Sequence, residues 1–401
     1  MRKVFIVAAK RTPLGSFGGM LKSTSVGELG AIAVKAALEA SGVATDKVDE
    51  VIIGNVVGAG QGMNVGRQAS IYAGIPSFVP AYTLNMVCGS GMKTVMDGIS
   101  HIRAGDANVV IAGGVEVMSA IPYAISGSIR DGHKMGNTQL TDLMVSDGLT
   151  DAFNQYHMGI TAENIAKELG ITRQEQDEFA TTSQNKAVAA IEAGKFRDEI
   201  VPIKVKVRRN TVLFDTDEYP KPNITTEILA ELRPAFDKEG TVTAGNASGI
   251  NDGASAIVLA SEQAVKDYQL IPIAEIVGYA QDGVNPKIMG LGPVGAVTKA
   301  LEKAQLTIED IDLFELNEAF AAQALGVIKQ LSKIHKIDPQ AILDKSNVNG
   351  GAIALGHPLG ASGNRILVSL IYEMHKRSNR YGIASLCVGG GMGTAIIIKT
   401  V

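Results

Sequence analysis

Two cysteines separated by most of the chain, Cys88 and Cys387, and one histidine set among glycines, His357, are the residues of this sequence best suited to covalent chemistry. Cys88 stands in Asn85-Met86-Val87-Cys88-Gly89-Ser90-Gly91, just ahead of a helical pattern that begins near Met92. A thiol at a helix N-terminus feels the positive end of the dipole and its free N–H groups, and both favour the nucleophilic thiolate. A cysteine judged on composition alone is more often a small buried hydrophobe. The Gly-Ser-Gly turn, tight enough to present the sulfur, argues for a reactive one. His357 follows the apolar, glycine-rich run Asn349–Gly356 and precedes Pro358 and a second glycine turn, Gly360-Ala361-Ser362-Gly363. A lone histidine is usually a surface or satisfied core residue, but an imidazole confined in this way is the base that a cysteine nucleophile needs. Cys387, in Leu386-Cys387-Val388-Gly389-Gly390-Gly391-Met392-Gly393, reads either as a buried thiol or as an acid/base beside exposed backbone N–H groups. Asn317 and Glu318 follow the apolar stretch Leu313–Leu316, where the carboxyl end of a strand in an open α/β sheet favours a site.

These residues need a scaffold. Short apolar runs at Val4–Ala8, Val51–Ile53, Val109–Ala112, Ala256–Leu259, Ile273–Val277, Leu313–Glu315 and Ala395–Ile398 read as buried strands. Helical patterns at Val26–Ser41, Met92–Ala104, Gly295–Ala304, Ala319–Leu331 and Asn364–Lys376 alternate with them, which predicts a layered α/β fold. The chain also repeats itself. A helix, a short acidic turn and a strand at 37–53 recur at 300–316, Cys88-Gly89-Ser90-Gly91 recurs as Gly360-Ala361-Ser362-Gly363, and Ala112-Gly113-Gly114 as Val388-Gly389-Gly390. Matches in the same order imply two homologous halves, 1–119 (completed by about 250–270) and 271–401. The polar stretch 120–249, with helical patterns at Ile160–Leu169 and Glu175–Glu192 and a loop-like Asp215–Thr226, has no counterpart and reads as an inserted loop domain at the substrate mouth. Strands near Val109–Ala112 are expected to pair across a two-fold axis between copies.

Composition limits the function. The 401 residues exceed one ordinary core, and 46% hydrophobic with 19% charged residues is a globular balance. Net charge is −4 and the most basic run, Lys204–Arg209, alternates with apolar residues as an edge strand would, which argues against nucleic-acid binding. Val4–Ala9 is too short for a signal-peptide core, no window approaches a membrane span, and Ile398–Val401 carries no peroxisomal or reticulum address, so a cytoplasmic location is expected. Two remote cysteines rule out a disulfide scaffold and a cysteine-rich zinc site.

Taken together, Cys88-Gly89-Ser90-Gly91, Asn317-Glu318-Ala319-Phe320, Gly356-His357-Pro358-Leu359-Gly360-Ala361-Ser362-Gly363 and Cys387–Gly393 resemble the thiolase family over essentially the entire chain. The resemblance implies a five-layered αβαβα fold of two related halves with a loop domain inserted in the first. Tyr156-His157-Met158-Gly159 and Ala244–Gly249 resemble the short-chain type, which implies acetyl-CoA C-acetyltransferase activity, with broader-chain 3-ketoacyl-CoA thiolysis as the alternative. It further implies Cys88 as nucleophile, His357 as its base, Cys387 as the base toward the second acetyl-CoA, Asn317 as holder of a water at the enolate, and Gly389 with Cys88 as oxyanion donors. Leu149, His157, Met158, Phe236, Ala244, Ala247, Ser248, Ala319 and Phe320 would line the path of CoA, and Met158, Met289 and Phe320 the acyl pocket. Acetyl-CoA, acetoacetyl-CoA and CoA are the implied partners, with no resident cofactor or metal, in a homodimer or homotetramer.

Three rivals differ in class. Gly290-Leu291-Gly292-Pro293-Val294-Gly295 has the spacing of a dinucleotide-binding turn, but no clear strand precedes it and Pro293 interrupts it. A decarboxylating ketoacyl synthase resembles Cys-His-His, with a histidine where this chain has Asn317, and does not require Cys387. A non-enzymatic lipid-binding or scaffold relative would be expected to lack the nucleophile or the base.

Overall fold

The computed structural model describes residues 2–401. Apolar runs long enough to be covered on both faces become the middle of one large sheet. Val109–Val117 and Asn251–Ser261 are buried at every position, as strands flanked by helices on both sides must be. We number the strands of its main path β1 (Val4–Arg11), β2 (Glu50–Gly54), β3 (Ala81–Leu84), β4 (Val109–Val117), β5 (Asn251–Ser261), β6 (Ala274–Gly283), β7 (Leu313–Leu316), β8 (Tyr381–Val388) and β9 (Met392–Thr400). Their order is β7-β8-β9-β6-β1-β5-β4-β2-β3.

The order is close to a palindrome. Within the first half, β1 and β5 are antiparallel while β4, β2 and β3 run parallel. In the second half β6 and β9 are antiparallel and β8 and β7 parallel. The halves meet where β1 pairs β6 through Phe5↔Glu275 and Ile6↔Ala274. Three apolar clusters then define the layers. Helices α1 (Val26–Ser41) and α2 (Val65–Tyr72) cover the outer face of the first half. Helix α3 (Ser90–Ala104) and the later α8 (Leu359–Arg377) fill the space between the halves. Helices α4 (Met158–Leu169), α6 (Gly292–Ala304) and α7 (Ala321–His335) cover the outer face of the second. The result is αβαβα.

Between β4 and β5 the chain adds no strand to this path. It forms the hairpins Tyr123–Ile125/Leu140–Asp142 and Ile203–Val207/Asn210–Phe214, helix α4, and the long helix α5 (Arg173–Glu192), which opens on a Thr172/Glu175 capping box. Buried Arg11 at the end of β1 ties this segment down, with Nε 2.6 Å from Glu199 and its two terminal nitrogens 2.7 and 2.9 Å from Asp217. Removing one partner would strand a buried charge, at a cost of roughly 3–5 kcal/mol.

The structure corrects two expectations. Val109–Ala112 cannot pair with another copy, because β4 is an interior strand held by β2 on one side and β5 on the other. The partly exposed β3 is the edge strand of the first half instead. Strand β3 is absent from the sequence reading, and β8 entered it only through the match of Val388-Gly389-Gly390 to the strand end Ala112-Gly113-Gly114, since Tyr82-Thr83 and Gly382-Ile383-Ala384-Ser385 break the apolar runs used to find strands. By contrast Gly290–Gly295 is a helix lead-in: a 3-10 turn, Pro286–Leu291, runs straight into α6.

Candidate active site

Cys88 sits in the turn between β3 and α3, with Gly89 capping the helix. Val87 before it adopts φ +47°, in the left-handed region where a β-branched residue carries roughly 1–3 kcal/mol of strain. Its neighbours hold it there. Asn85 Oδ1 accepts from Val87 N at 2.9 Å, and Ser90 Oγ accepts from Met86 N at 2.8 Å while donating to Val87 O at 2.7 Å. The thiol that results is 9% exposed and receives the backbone N–H groups of Gly389 and of Cys88 itself. Burial nonetheless pushes it up to about 11, the two N–H groups pulling down and the Glu116 carboxyl pushing up. Desolvation therefore outweighs the helix terminus, contrary to the expectation of a resting thiolate.

His357 is buried ahead of α8 on a turn that opens at Gly356 (φ +110°), where a Cβ would collide with the Asn251 side chain. Its N–H donates to Asn251 Oδ1 at 3.0 Å. Nδ1 lies 2.5 Å from Ser362 Oγ, and that hydroxyl spends its only proton on Pro358 O at 2.9 Å. Ser362 can therefore only accept from the ring, which assigns the proton to Nδ1 and leaves the Nε2 lone pair bare. Nε2 is buried and has no protein partner. Burial, then the Arg365 guanidinium, lowers the imidazole to about 3, so it is neutral at pH 7.

Cys387 lies near the end of β8, fully buried, with burial and then Cys88 pushing its thiol far above the ordinary range. Two residues on, the chain turns through Gly389, with Gly390 and Gly391 at φ +85° and +91°. A Cβ on Gly89 would lie 2.8 Å from Val388, and one on Gly389 would lie 3.1 Å from Val87, so the turns of the two thiols are pressed together. The Cys88 helix also meets the His357 turn, since a Cβ on Gly91 would lie 2.8 Å from Gly360 O. Asn317, after β7, donates its N–H to Ser385 O at 3.0 Å. Both polar atoms of its buried side chain lack a protein partner, and a buried amide left so costs roughly 1–3 kcal/mol.

The expected CoA-path residues divide. His157 caps α4 by accepting Gly159 N at 3.0 Å on Nδ1, and its ring stacks on Phe236 with centroids 4.5 Å apart. Phe236 in turn meets Phe320 edge-on at 6.1 Å. Met158, Ala247, Met289, Ala319, Phe320 and Cys387 belong to one apolar cluster, against which Phe236 packs. Ser248 N donates to Ala319 O at 2.9 Å, and Ala247 bridges Phe320. Leu149 lies with Cys88 in the cluster between the halves. Ala244 is exposed and outside both.

Several residues around this site escaped the sequence reading. Ser362 appeared only as part of a glycine turn, yet it sets the tautomer of His357. Glu318 was quoted in its motif without a role; it is buried, accepting Ser183 Oγ at 2.6 Å and Asn347 Nδ2 at 2.8 Å. Glu116, buried in β4, also lacked one, although a carboxylate inside an apolar run is itself a signal. A separate cleft of about 560 Å³ lies between α5, α7 and the 338–347 segment, with Glu318 in its lining. It contains neither thiol nor imidazole.

Comparison with known proteins agrees with the fold and the motifs. The family described as Thiolase, N-terminal domain, matches residues 4–263 and Thiolase, C-terminal domain, matches 270–400. The chain belongs to the thiolase family. An acetyl-CoA acetyltransferase of Chromobacterium violaceum is 57% identical over 398 residues, 99% of each chain. The crystal structure of the Bacillus anthracis acetyl-CoA acetyltransferase superposes with TM-score 0.95 at 47% identity, covering 100% of this chain and 99% of that one. Human mitochondrial 3-ketoacyl-CoA thiolase in complex with CoA gives 0.92 at 46%, covering 100% and 98%.

Proposed function

We infer that this chain is an acetyl-CoA C-acetyltransferase, joining two acetyl-CoA into acetoacetyl-CoA and CoA and catalysing the reverse thiolysis. The observation that carries it is that two buried free thiols stand at turns pressed against each other, with Gly389 N–H directed at Cys88 sulfur. Relatives named acetyl-CoA acetyltransferase at 50–57% identity over nearly the whole chain supply the substrate.

The cycle follows from the protonation states. His357 Nε2, unprotonated, takes the Cys88 proton as sulfur attacks the first thioester, and the proton leaves with CoA. The tetrahedral oxyanion is received by the N–H groups of Cys88 and Gly389, each worth roughly 3 kcal/mol of barrier on the usual mutational scale. Cys387, its own proton first taken up by His357 Nε2, then takes one from the methyl of the second acetyl-CoA, a thiol with a raised pKa being the stronger base once ionised. The enolate oxygen is held by His357 Nε2, which carries the proton taken from Cys387, and by a water on Asn317. The carbanion attacks acetyl-Cys88 and releases its thiolate, which recovers the proton from His357 at the end of the cycle. CoA lies along Leu149, His157, Met158, Phe236, Ala244, Ala247, Ser248, Ala319 and Phe320, in a mouth built by the inserted segment 120–249, with halves 1–119 and 271–401 beneath. Met158, Met289 and Phe320 close the acyl pocket.

The enzyme works in the cytoplasm without a resident cofactor, as a homodimer or homotetramer. No helix among the described residues is long and apolar enough to cross a membrane. The open edge of β3 is the surface on which copies would pair. A CoA-dependent cleavage assay comparing acetoacetyl-CoA with a medium-chain 3-ketoacyl-CoA tests the reading. Faster cleavage of acetoacetyl-CoA is expected; a preference for the medium chain would replace it with the degradative thiolase.

A further inference from the structure

The geometry points to Glu116 as a positioning residue for the reaction, a single carboxylate that fixes the turn of Cys88 and the turn of His357 relative to each other. Glu116 sits near the end of β4, 1% exposed. Four N–H donors from two segments converge on its two oxygens. Oε1 accepts from Asn55 Nδ2 at 3.0 Å and Val57 N at 3.1 Å, and Oε2 from Val56 N at 2.9 Å and Gly360 N at 3.0 Å.

Each segment leads to one reacting group. On the first side, Val56 O accepts from Asn85 Nδ2 at 3.1 Å, and Asn85 Oδ1 accepts from the N–H of the strained Val87, adjacent to Cys88. On the second side, Gly360 lies within the turn that runs from His357 to Ser362, the residue on the imidazole. Gly360 also fits tightly, since a Cβ there would fall 2.7 Å from Glu116 Oε2 and 2.9 Å from Asn55 Cα. The halves that supply nucleophile and base are thus held by bonds to one group at their junction.

Only an ionised carboxylate suits this position. All four partners donate, so Gln would turn an NH₂ toward two opposing N–H groups whichever way it were placed. Burial pushes the Glu116 carboxyl up to about 7, and the N–H groups of Val56, Val57, Gly360 and Asn55 pull it down. It is therefore ionised at pH 8.

The inference rests on Cys88 as the nucleophile, and the test separates the two ideas. The rate of Cys88 alkylation by iodoacetamide at pH 8, located by peptide mass mapping, is measured for wild type and Glu116→Gln beside melting temperature, kcat and KM for thiolysis. Misplacement of reacting groups by about 1 Å costs on the order of 100-fold. Alkylation and kcat are expected to fall about ten- to a hundredfold, with KM within about threefold and the fold retained. A variant that melts earlier but alkylates and turns over at the wild-type rate would overturn the inference, leaving Glu116 a stability residue. If wild type alkylates readily at Cys88 without thiolase activity, the functional reading fails, while slower alkylation of Glu116→Gln still supports the positioning role. Should Glu116→Gln not fold, Asn85→Ala cuts the same chain one link nearer Cys88 at an exposed residue. Wild-type alkylation of that variant would equally overturn the inference.

Discussion

Cys88 and Cys387 stand at turns pressed against each other but differ in their surroundings. Cys88 stands on a strained turn, and a second segment of chain donates to its sulfur through Gly389. Cys387 is set in a strand of the sheet, and among N–H groups only its own backbone one lowers its pKa. Burial raises both, Cys387 further. A sulfur with donors around it can carry a thioester whose oxygen becomes an anion; a sulfur denied them is left to exchange a proton. In the proposed cycle, position along the fold, more than residue type, divides the labour.

The sharpest way to break that division is to exchange each thiol for a hydroxyl. Cys88→Ser is expected to lose both acetylation and condensation, by roughly 10⁴-fold or more, since an alkoxide would rarely form beside a neutral imidazole. Cys387→Ser is expected to keep substantial acetylation of Cys88 while condensation and thiolysis fall roughly 10²–10⁴-fold, the usual worth of a placed base. Rapid-quench labelling with radioactive acetyl-CoA, run beside the overall assay, reads the steps separately. Near wild-type condensation by Cys387→Ser would make that residue a buried thiol and nothing more.

A pH profile sharpens the comparison with a smaller effect. Because the Cys88 thiol is raised to about 11, its thiolate fraction keeps growing with pH where an ordinary thiol has levelled off near its own pKa of about 8.5. Alkylation of Cys88 is expected to climb about tenfold per pH unit from 7 to 10. His357, lowered to about 3, stays neutral throughout and adds no inflection near 6.5. A plateau by pH 8 would mean that the N–H donors outweigh burial.

Much of this site was legible in the sequence because its signals are local. Gly-Ser-Gly after Cys88, Gly-His-Pro and the triple glycine after Cys387 each demand a tight turn, and the repeat implied how distant turns meet. Helices with clean apolar periodicity, such as Val26–Ser41, were readable to the residue. Strand β3 was not, because four residues with no sustained apolar run leave little to read, and of β8 only the glycine-rich end was, since Gly382, Ala384 and Ser385 have weak strand propensity that tertiary pairing overrides. The state of Cys88 was misjudged for a related reason: a helix terminus can be read from a motif, while the desolvation opposing it depends on everything packed around the sulfur. Ser362 and Glu116 act through partners far away in the chain or through one proton's direction, which a single sequence does not display.

The smallest expected effect tests whether the acyl-CoA path is as separable from the thiols as this division implies. Gly159 opens α4 just after Met158, and a Cβ there would fall inside the Phe236 ring. That ring stacks on His157 and leans on Phe320, so it cannot shift without disturbing the proposed path of CoA. Gly159→Ala should therefore displace Phe236 at the ordinary price of overpacking, about 1–3 kcal/mol. It should raise KM for acetoacetyl-CoA several-fold while kcat and Cys88 alkylation change little. Steady-state kinetics and the alkylation rate measured on one preparation decide the matter. A fall in kcat with KM unchanged would mean that Met158, 3.7 Å from the Cβ position of Gly389, transmits the shift to the oxyanion donors, and that the binding path and the reacting turn move as one body.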